Sequence, residues 1–118
     1  MKYALLIYNR EGCTSKEMTD DERRRFVEVV DEVLARPNVG PWVRLGETES
    51  ATTVRQGERG TFLTDGPFVD SKEFIAGLIV VDAANLDQAL AVAAELQELR
   101  TGGAIEVRPM REARPSED

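Results

Sequence analysis

The sequence predicts an α+β fold in which two helices cover one face of a β-sheet. Three observations support this prediction: two strands are apolar on both faces, two segments have helical apolar spacing, and strands and helices alternate along the chain. The chain has 118 residues, the size of one ordinary domain with one core. We assign residues 1–110 to this domain and residues 111–118 to a polar C-terminal tail.

The first strand and the first helix have clear local signals. Residues 2–8 are apolar or aromatic at every position but the first, which is typical of a strand covered on both faces. Thr19 and Glu22 fit a capping box. The helix therefore begins just after Thr19 and runs to about residue 36, where Pro37 ends it.

The remainder of the chain adds a strand, a hairpin, a long strand, a second helix and a last strand. Glycines in the loop at residues 56–60 separate the two hairpin strands. Asn85 caps the second helix, which ends before the pair Gly102-Gly103. The predicted strands after the first are residues 42–45, 51–55, 61–64, 74–81 and 104–107.

This order of elements, two strand–helix–strand units around a hairpin, predicts a ferredoxin-like sheet with both helices on one face. The strands at residues 2–8 and 74–81 are apolar on the other face as well, and soluble chains rarely leave such a patch in water. A second copy of the same sheet is the simplest cover. We therefore predict a homodimer.

Composition and charge exclude several classes of function. The net charge is −7, with 15 basic against 22 acidic residues, so direct binding to nucleic acid or to an anionic membrane is not expected. No apolar run approaches the roughly 20 residues of a membrane-spanning helix. The N-terminal apolar run is too short for a signal peptide, and we predict a cytoplasmic protein.

The chain has no His and a single Cys. This composition removes the usual general base, nucleophiles activated by His, and the commonest transition-metal ligands. We therefore predict neither a metal site nor a cofactor. Cys13 lies in a polar stretch and is interpreted as a loop residue rather than as a catalytic thiol.

Several segments together resemble the YCII-related proteins of the DGPF-domain branch. They are the motif Asp65-Gly66-Pro67-Phe68, the following Ser71-Lys72-Glu73, the opening residues 1–8, the strand at residues 51–55 and the closing residues 102–109. The resemblance spans nearly the whole chain. It implies a dimeric α/β-barrel version of the ferredoxin-like fold, which agrees with the homodimer predicted from the strands.

The resemblance implies no settled activity. A His-Asp pair has been proposed as an active site in the broader family, and a chain without His cannot form that pair, although Asp65 is a candidate for its Asp position. Some members of the DGPF branch occur beside or fused to sigma factors of the extracytoplasmic-function type. That association implies a transcription-linked role for part of the branch.

The segment from Asp65 to Glu73 has two interpretations. It is either a rigid corner between strands, with Phe68 anchored in the core, or the edge of a binding site whose side chains that corner holds in place. In the second interpretation Asp65 acts as a general base and Lys72 holds an anion, so these two are the candidate catalytic residues. The candidate ligand-binding residues are Tyr8, Glu47, Asp70, Glu73 and Arg108.

We expect a small homodimeric protein that binds a small molecule or acts as a cofactor-independent enzyme. Proton transfer on a small organic acid or aromatic metabolite is the reaction class that suits carboxylate, Lys and Tyr side chains without a metal. The alternative is a non-catalytic accessory protein that modulates transcription through a protein partner such as a sigma factor. The acidic surface would suit a basic partner.

Overall fold

The computed structural model of the chain describes residues 1–11 and 18–114. Cys13 lies outside the described residues. A short 3-10 turn, Thr48–Ser50, separates the second and third strands. The remaining elements are β1 (Lys2–Arg10), α1 (Asp20–Leu34), β2 (Val39–Arg44), β3 (Thr52–Gly57), β4 (Gly60–Asp65), β5 (Glu73–Asp82), α2 (Leu86–Gln97) and β6 (Ala104–Pro109).

The predicted α+β class is confirmed. Strands β2, β5, β1 and β6 form, in that spatial order, one antiparallel sheet. Helices α1 and α2 pack on the same face of it, so the prediction that both helices cover one face is also confirmed. The sheet is open, with β2 and β6 as its edges.

The core lies between the helices and the sheet. Leu5, Val33 and Val81 are fully buried, so β1, α1 and β5 meet at its centre. From α2 come the small buried side chains of Ala89 and Ala93. Small side chains let the backbone of α2 approach the sheet closely.

Both predicted helix N-caps are confirmed. The Thr19 Oγ1 atom accepts a hydrogen bond from the Glu22 amide at 3.1 Å, and the Asn85 Oδ1 atom accepts one from the Gln88 amide at 2.9 Å. Each bond satisfies an amide that has no partner within its helix. α1 ends slightly earlier than predicted, because the ring of Pro37 disfavours helical backbone in the residue before it.

Strand β2 begins earlier than the predicted residues 42–45. Its register against β5 shifts between Val39 and Trp42, so Gly40 and Pro41 lie in an irregular stretch inside the strand. Gly40 has a φ of 131°, a backbone conformation that favours glycine. Pro41 donates no amide hydrogen bond, which an edge strand tolerates at such an irregularity.

An arginine clamp joins the two helices. Arg36 donates two hydrogen bonds to the Glu95 carboxylate, at 2.7 and 3.1 Å, and two to the Glu32 carboxylate, at 3.0 and 2.8 Å. The bonds to Glu95 and then to Glu32 raise the pKa of Arg36 further above its ordinary value. In return, the bond from Arg36 lowers the pKa of Glu95.

We expect Glu95→Gln to lower the free energy of unfolding by less than about 1 kcal/mol at neutral pH, because water screens this surface clamp. A carboxylate with a lowered folded-state pKa stabilises the fold above its unfolded-state pKa, and this contribution is lost as the pH falls through the folded-state value. Urea unfolding at neutral pH and at about pH 3 measures the difference. Glu98→Gln, just past the same helix, is the control, and a Glu95→Gln effect undiminished in acid would contradict the prediction.

Strands β3 and β4 form a separate hairpin that packs little against the rest of the chain. Val54 and Leu63 are paired across it and are 66% and 68% exposed. The interpretation of Phe68 as a core anchor is wrong, since its side chain is exposed and the Arg55 guanidinium lies 5.0 Å from its ring centre. The hairpin stands away from the core, so the corner that follows it has no core to enter.

The face of the sheet opposite the helices carries apolar side chains, and no other element of the described chain packs on it. Leu6 pairs with Leu78 there, and both are half-buried. Tyr8 pairs with Ile75, which is 40% exposed. Within the described residues, no helix has the length and apolar character needed to cross a membrane.

Candidate functional site

A cleft of about 430 Å³ opens between α1 and the sheet. Phe26, Val27 and Val30 of α1 form one wall, and the floor comes from the strands, with Gly77 and Ile79 of β5 among them. Most of its surface is apolar. A cavity of this size and character is typical of small-molecule sites.

The cleft exists because α1 does not close onto the sheet along its whole length. Val33 is the one fully buried residue of α1, whereas Phe26 and Val30, nearer its beginning, are half-buried. Beneath this part of the helix, β5 contributes Ala76 and Gly77, which have little or no side chain to fill the gap. At Gly77 a Cβ atom would lie 2.7 Å from the backbone oxygen of Val43, so close packing against β2 keeps this position small.

Three polar side chains line the cleft: Asn9, Arg44 and Arg100. Arg100 is half-buried and ties the end of α2 to the end of β1. Its Nη2 atom donates to the Tyr8 carbonyl at 2.8 Å and to Asn9 Oδ1 at 2.5 Å, and its Nη1 atom donates to Gln97 Oε1 at 2.9 Å. These bonds hold the guanidinium in a fixed position.

Arg44 lies at the end of β2, on the exposed side of the cleft. Its guanidinium carbon is 5.3 Å from the ring centre of Trp42, within the range of a cation–π contact. Trp42 and Leu45 line the same opening and are 44% and 51% exposed. The mouth of the cleft is therefore apolar and carries one arginine.

Gly103, just before β6, packs against the end of β1 beside Arg100. Gly103 has a φ of 70°, and a Cβ atom there would overlap the backbone oxygen of Tyr8 and approach Arg100 Nη2 to 2.9 Å. The chain passes from α2 into β6 at this point, so the absence of a side chain lets Arg100 reach β1. The sequence predicts Gly103 only as a helix stop, and its role in packing depends on a contact far along the chain.

The predicted site residues lie outside this cleft. Asp65 ends β4, Glu73 begins β5, and Asp70 and Lys72 lie between them, all four exposed. The Lys72 carbonyl accepts a hydrogen bond from the Glu11 amide at 2.6 Å, which ties this segment to the end of β1. The single chain therefore presents these side chains to solvent at the end of the sheet.

The other three predicted residues are dispersed. Glu47 is exposed before the 3-10 turn, and Tyr8 is half-buried near the end of β1. Arg108 is an exposed residue of β6, 4.0 Å from the Glu106 carboxylate. Because β6 pairs Arg108 with Ala4, this arginine lies four residues along β1 from Tyr8, about 13 Å away.

Neither Arg44 nor Arg100 is among the site residues predicted from the sequence. One signal was available, because Arg44 interrupts the otherwise apolar run from Trp42 to Leu45. Among the described residues, no three His, Cys, Asp or Glu side chains group as ligands for a metal ion.

Comparisons with known proteins identify the family. The model of the YCII-related domain matches residues 1–114. An uncharacterized protein of Rhizobium meliloti (strain 1021) is 37% identical over 121 residues, covering 99% of this chain and 98% of the relative. With this match over nearly its whole length, the chain belongs to the YCII-related family, as its DGPF motif and its other matching segments predict.

Proposed function

We propose that this protein is a homodimer that binds a small molecule in the cleft between α1 and the sheet. The observation that carries the proposal is the cleft itself, a cavity of about 430 Å³ with apolar walls and a few polar groups. Among the described residues, no carboxylate, Lys, Tyr or hydroxyl side chain lines it. The side chains that line the cleft therefore support binding, and a proton-transfer reaction would need groups from elsewhere.

The proposal of a dimer rests on two uncovered apolar surfaces. One is the sheet face with Leu6, Leu78 and Ile75, and the other is the hairpin with Val54 and Leu63. A two-stranded hairpin is marginally stable on its own in water, so it gains from a partner. Two copies packed through the open faces would form the dimeric barrel arrangement of a ferredoxin-like fold and hide both surfaces.

We expect sedimentation velocity at low micromolar concentration to give a particle of twice the chain mass. Ile75→Asp places a charge on the open face at a side chain that is 40% exposed, and we expect it to shift the protein toward single chains because a buried unpaired charge is costly. Leu90→Asp, at a similarly exposed residue of α2 on the helix side, is the matched control. Circular dichroism checks that both variants fold. Wild-type protein that sediments as one chain would overturn the dimer.

We expect the neutral dye N-phenylnaphthylamine, which brightens in apolar surroundings, to bind the cleft. Val27→Glu puts a charge at the mouth of the cleft and should weaken binding about tenfold, because burying the dye beside it costs solvation. Leu86→Glu is the matched control, since Leu86 begins α2 and is 46% exposed against 49% for Val27. Dye binding that is absent, or that both variants reduce equally, would contradict a site in the cleft.

The segment from Asp65 to Lys72 remains a second proposed site. Its support is the hydrogen bond from the Glu11 amide to the Lys72 carbonyl, which fixes the segment at the end of β1 near the cleft-lining Asn9. Lys72→Ala belongs in the same titration. If this variant loses dye binding while Val27→Glu keeps it, the site lies at the corner rather than in the cleft.

A further inference from the structure

The charged side chains that line the cleft are all positive. They are Arg44 and Arg100, and among the described residues no Asp or Glu lines the cavity. The chain as a whole carries a net charge of −7, so a cleft lined only by positive charges is the opposite of what the overall composition would give. Apolar walls of low dielectric strengthen the field of a charge at the mouth of a cavity.

Arg44 is placed to meet a ligand. It is exposed at the mouth of the cleft, and within the described part of the chain no ion pair involves it. The contact with the Trp42 ring orients its guanidinium without using its N–H groups. A guanidinium held in this way keeps a planar edge of donors that matches a carboxylate with two parallel hydrogen bonds.

We propose that the cleft takes a carboxylate with an apolar body, whose carboxylate pairs with Arg44 while the body lies between α1 and the sheet beside Trp42. This inference rests on the proposed binding function and specifies its ligand class. Phe26 and Val30 supply apolar contact for the body. The carboxylate stays at the mouth, where Arg44 is exposed, so binding does not require full burial of the charge.

The only tryptophan of the chain reports on the site, because Trp42 lines the cleft. We propose titrating its fluorescence with three probes that share one apolar body: phenylbutyrate, its neutral amide phenylbutyramide, and the cationic phenylbutylamine. We expect wild-type protein to bind the carboxylate about tenfold more tightly than the amide, and the amine most weakly.

In the variant Arg44→Gln the carboxylate and the amide should bind with equal affinity. Arg55→Gln is the matched control, because Arg55 also lies over an aromatic ring, that of Phe68, but on the hairpin outside the cleft. This control should keep the tenfold preference. The preference should also shrink in high salt, since a pair at the mouth is screened.

The possible outcomes distinguish a failure of the proposed ligand class from a failure of the binding function itself. If wild-type protein binds the amide and the carboxylate equally, the ligand class is wrong and the cleft remains a binding site. If Arg44→Gln keeps the preference, or Arg55→Gln loses it, Arg44 does not recognise the carboxylate and the inference fails. If none of the three probes binds, both the inference and the proposed function fail.

Discussion

The variant Gly103→Ala is expected to lose about 3 to 5 kcal/mol of stability, a large effect for the addition of one methyl group. Two costs add. A φ of 70° disfavours every residue with a Cβ atom, and the new atom would overlap the backbone oxygen of Tyr8. Because backbone rather than a flexible side chain blocks the position, the clash is relieved only if the start of β6 moves away from β1.

Gly66→Ala separates these two costs. Gly66 has a φ of 95° and no atom within contact distance of a Cβ built there, so the variant has the backbone cost alone. We expect it to lose about 1 to 2 kcal/mol. Urea unfolding, monitored by circular dichroism under the same conditions, measures the free energy of unfolding of both variants. Equal losses at the two glycines would show that the overlap with Tyr8 does not matter.

The variant Arg100→Met is expected to lose about 2 to 3 kcal/mol, because it keeps the apolar stem and removes every hydrogen bond of a charged group, among them those to Tyr8 and Asn9. The Tyr8 carbonyl and the Asn9 side chain lose their donor on the half-buried edge of the cleft. The same loss should loosen the junction between α2 and β6, since Gln97 also binds this guanidinium.

Arg108→Met is the control for Arg100→Met. Arg108 is an exposed arginine with one long ion pair, to Glu106 at 4.0 Å, and such pairs contribute under about 1 kcal/mol. Thermal unfolding of the two variants beside wild type gives the comparison. If both arginines prove equally dispensable, the bonds of Arg100 to β1 do not stabilise the fold.

Local patterns predict much of this fold because their causes are local. A Thr or Asn side chain at a helix start bonds an amide three residues on, and Thr19 and Asn85 do so as predicted. The continuous apolar runs of β1 and β5 likewise agree with their place at the centre of the sheet. These features need no knowledge of what lies far along the chain.

The cleft could not be predicted from local sequence patterns, because it depends on how distant segments are placed. Phe26 and Val30 have the spacing of an ordinary core-facing helix, and the sequence does not tell that α1 stands off the small residues Ala76 and Gly77. Phe68 is exposed rather than buried for a similar reason, because an aromatic residue after a turn is buried only when a core lies within reach. The three-dimensional placement of α1 and of the hairpin decides both outcomes.

The hairpin has a consequence for the dynamics of the chain. Because β3 and β4 make few contacts outside their own pair, opening them exposes little surface and breaks little else. Their amide protons should therefore exchange with solvent well before those of β1 and β5. If a second copy packs against the hairpin, dilution will speed that exchange. The exchange rate of these few amides then reports directly on subunit association.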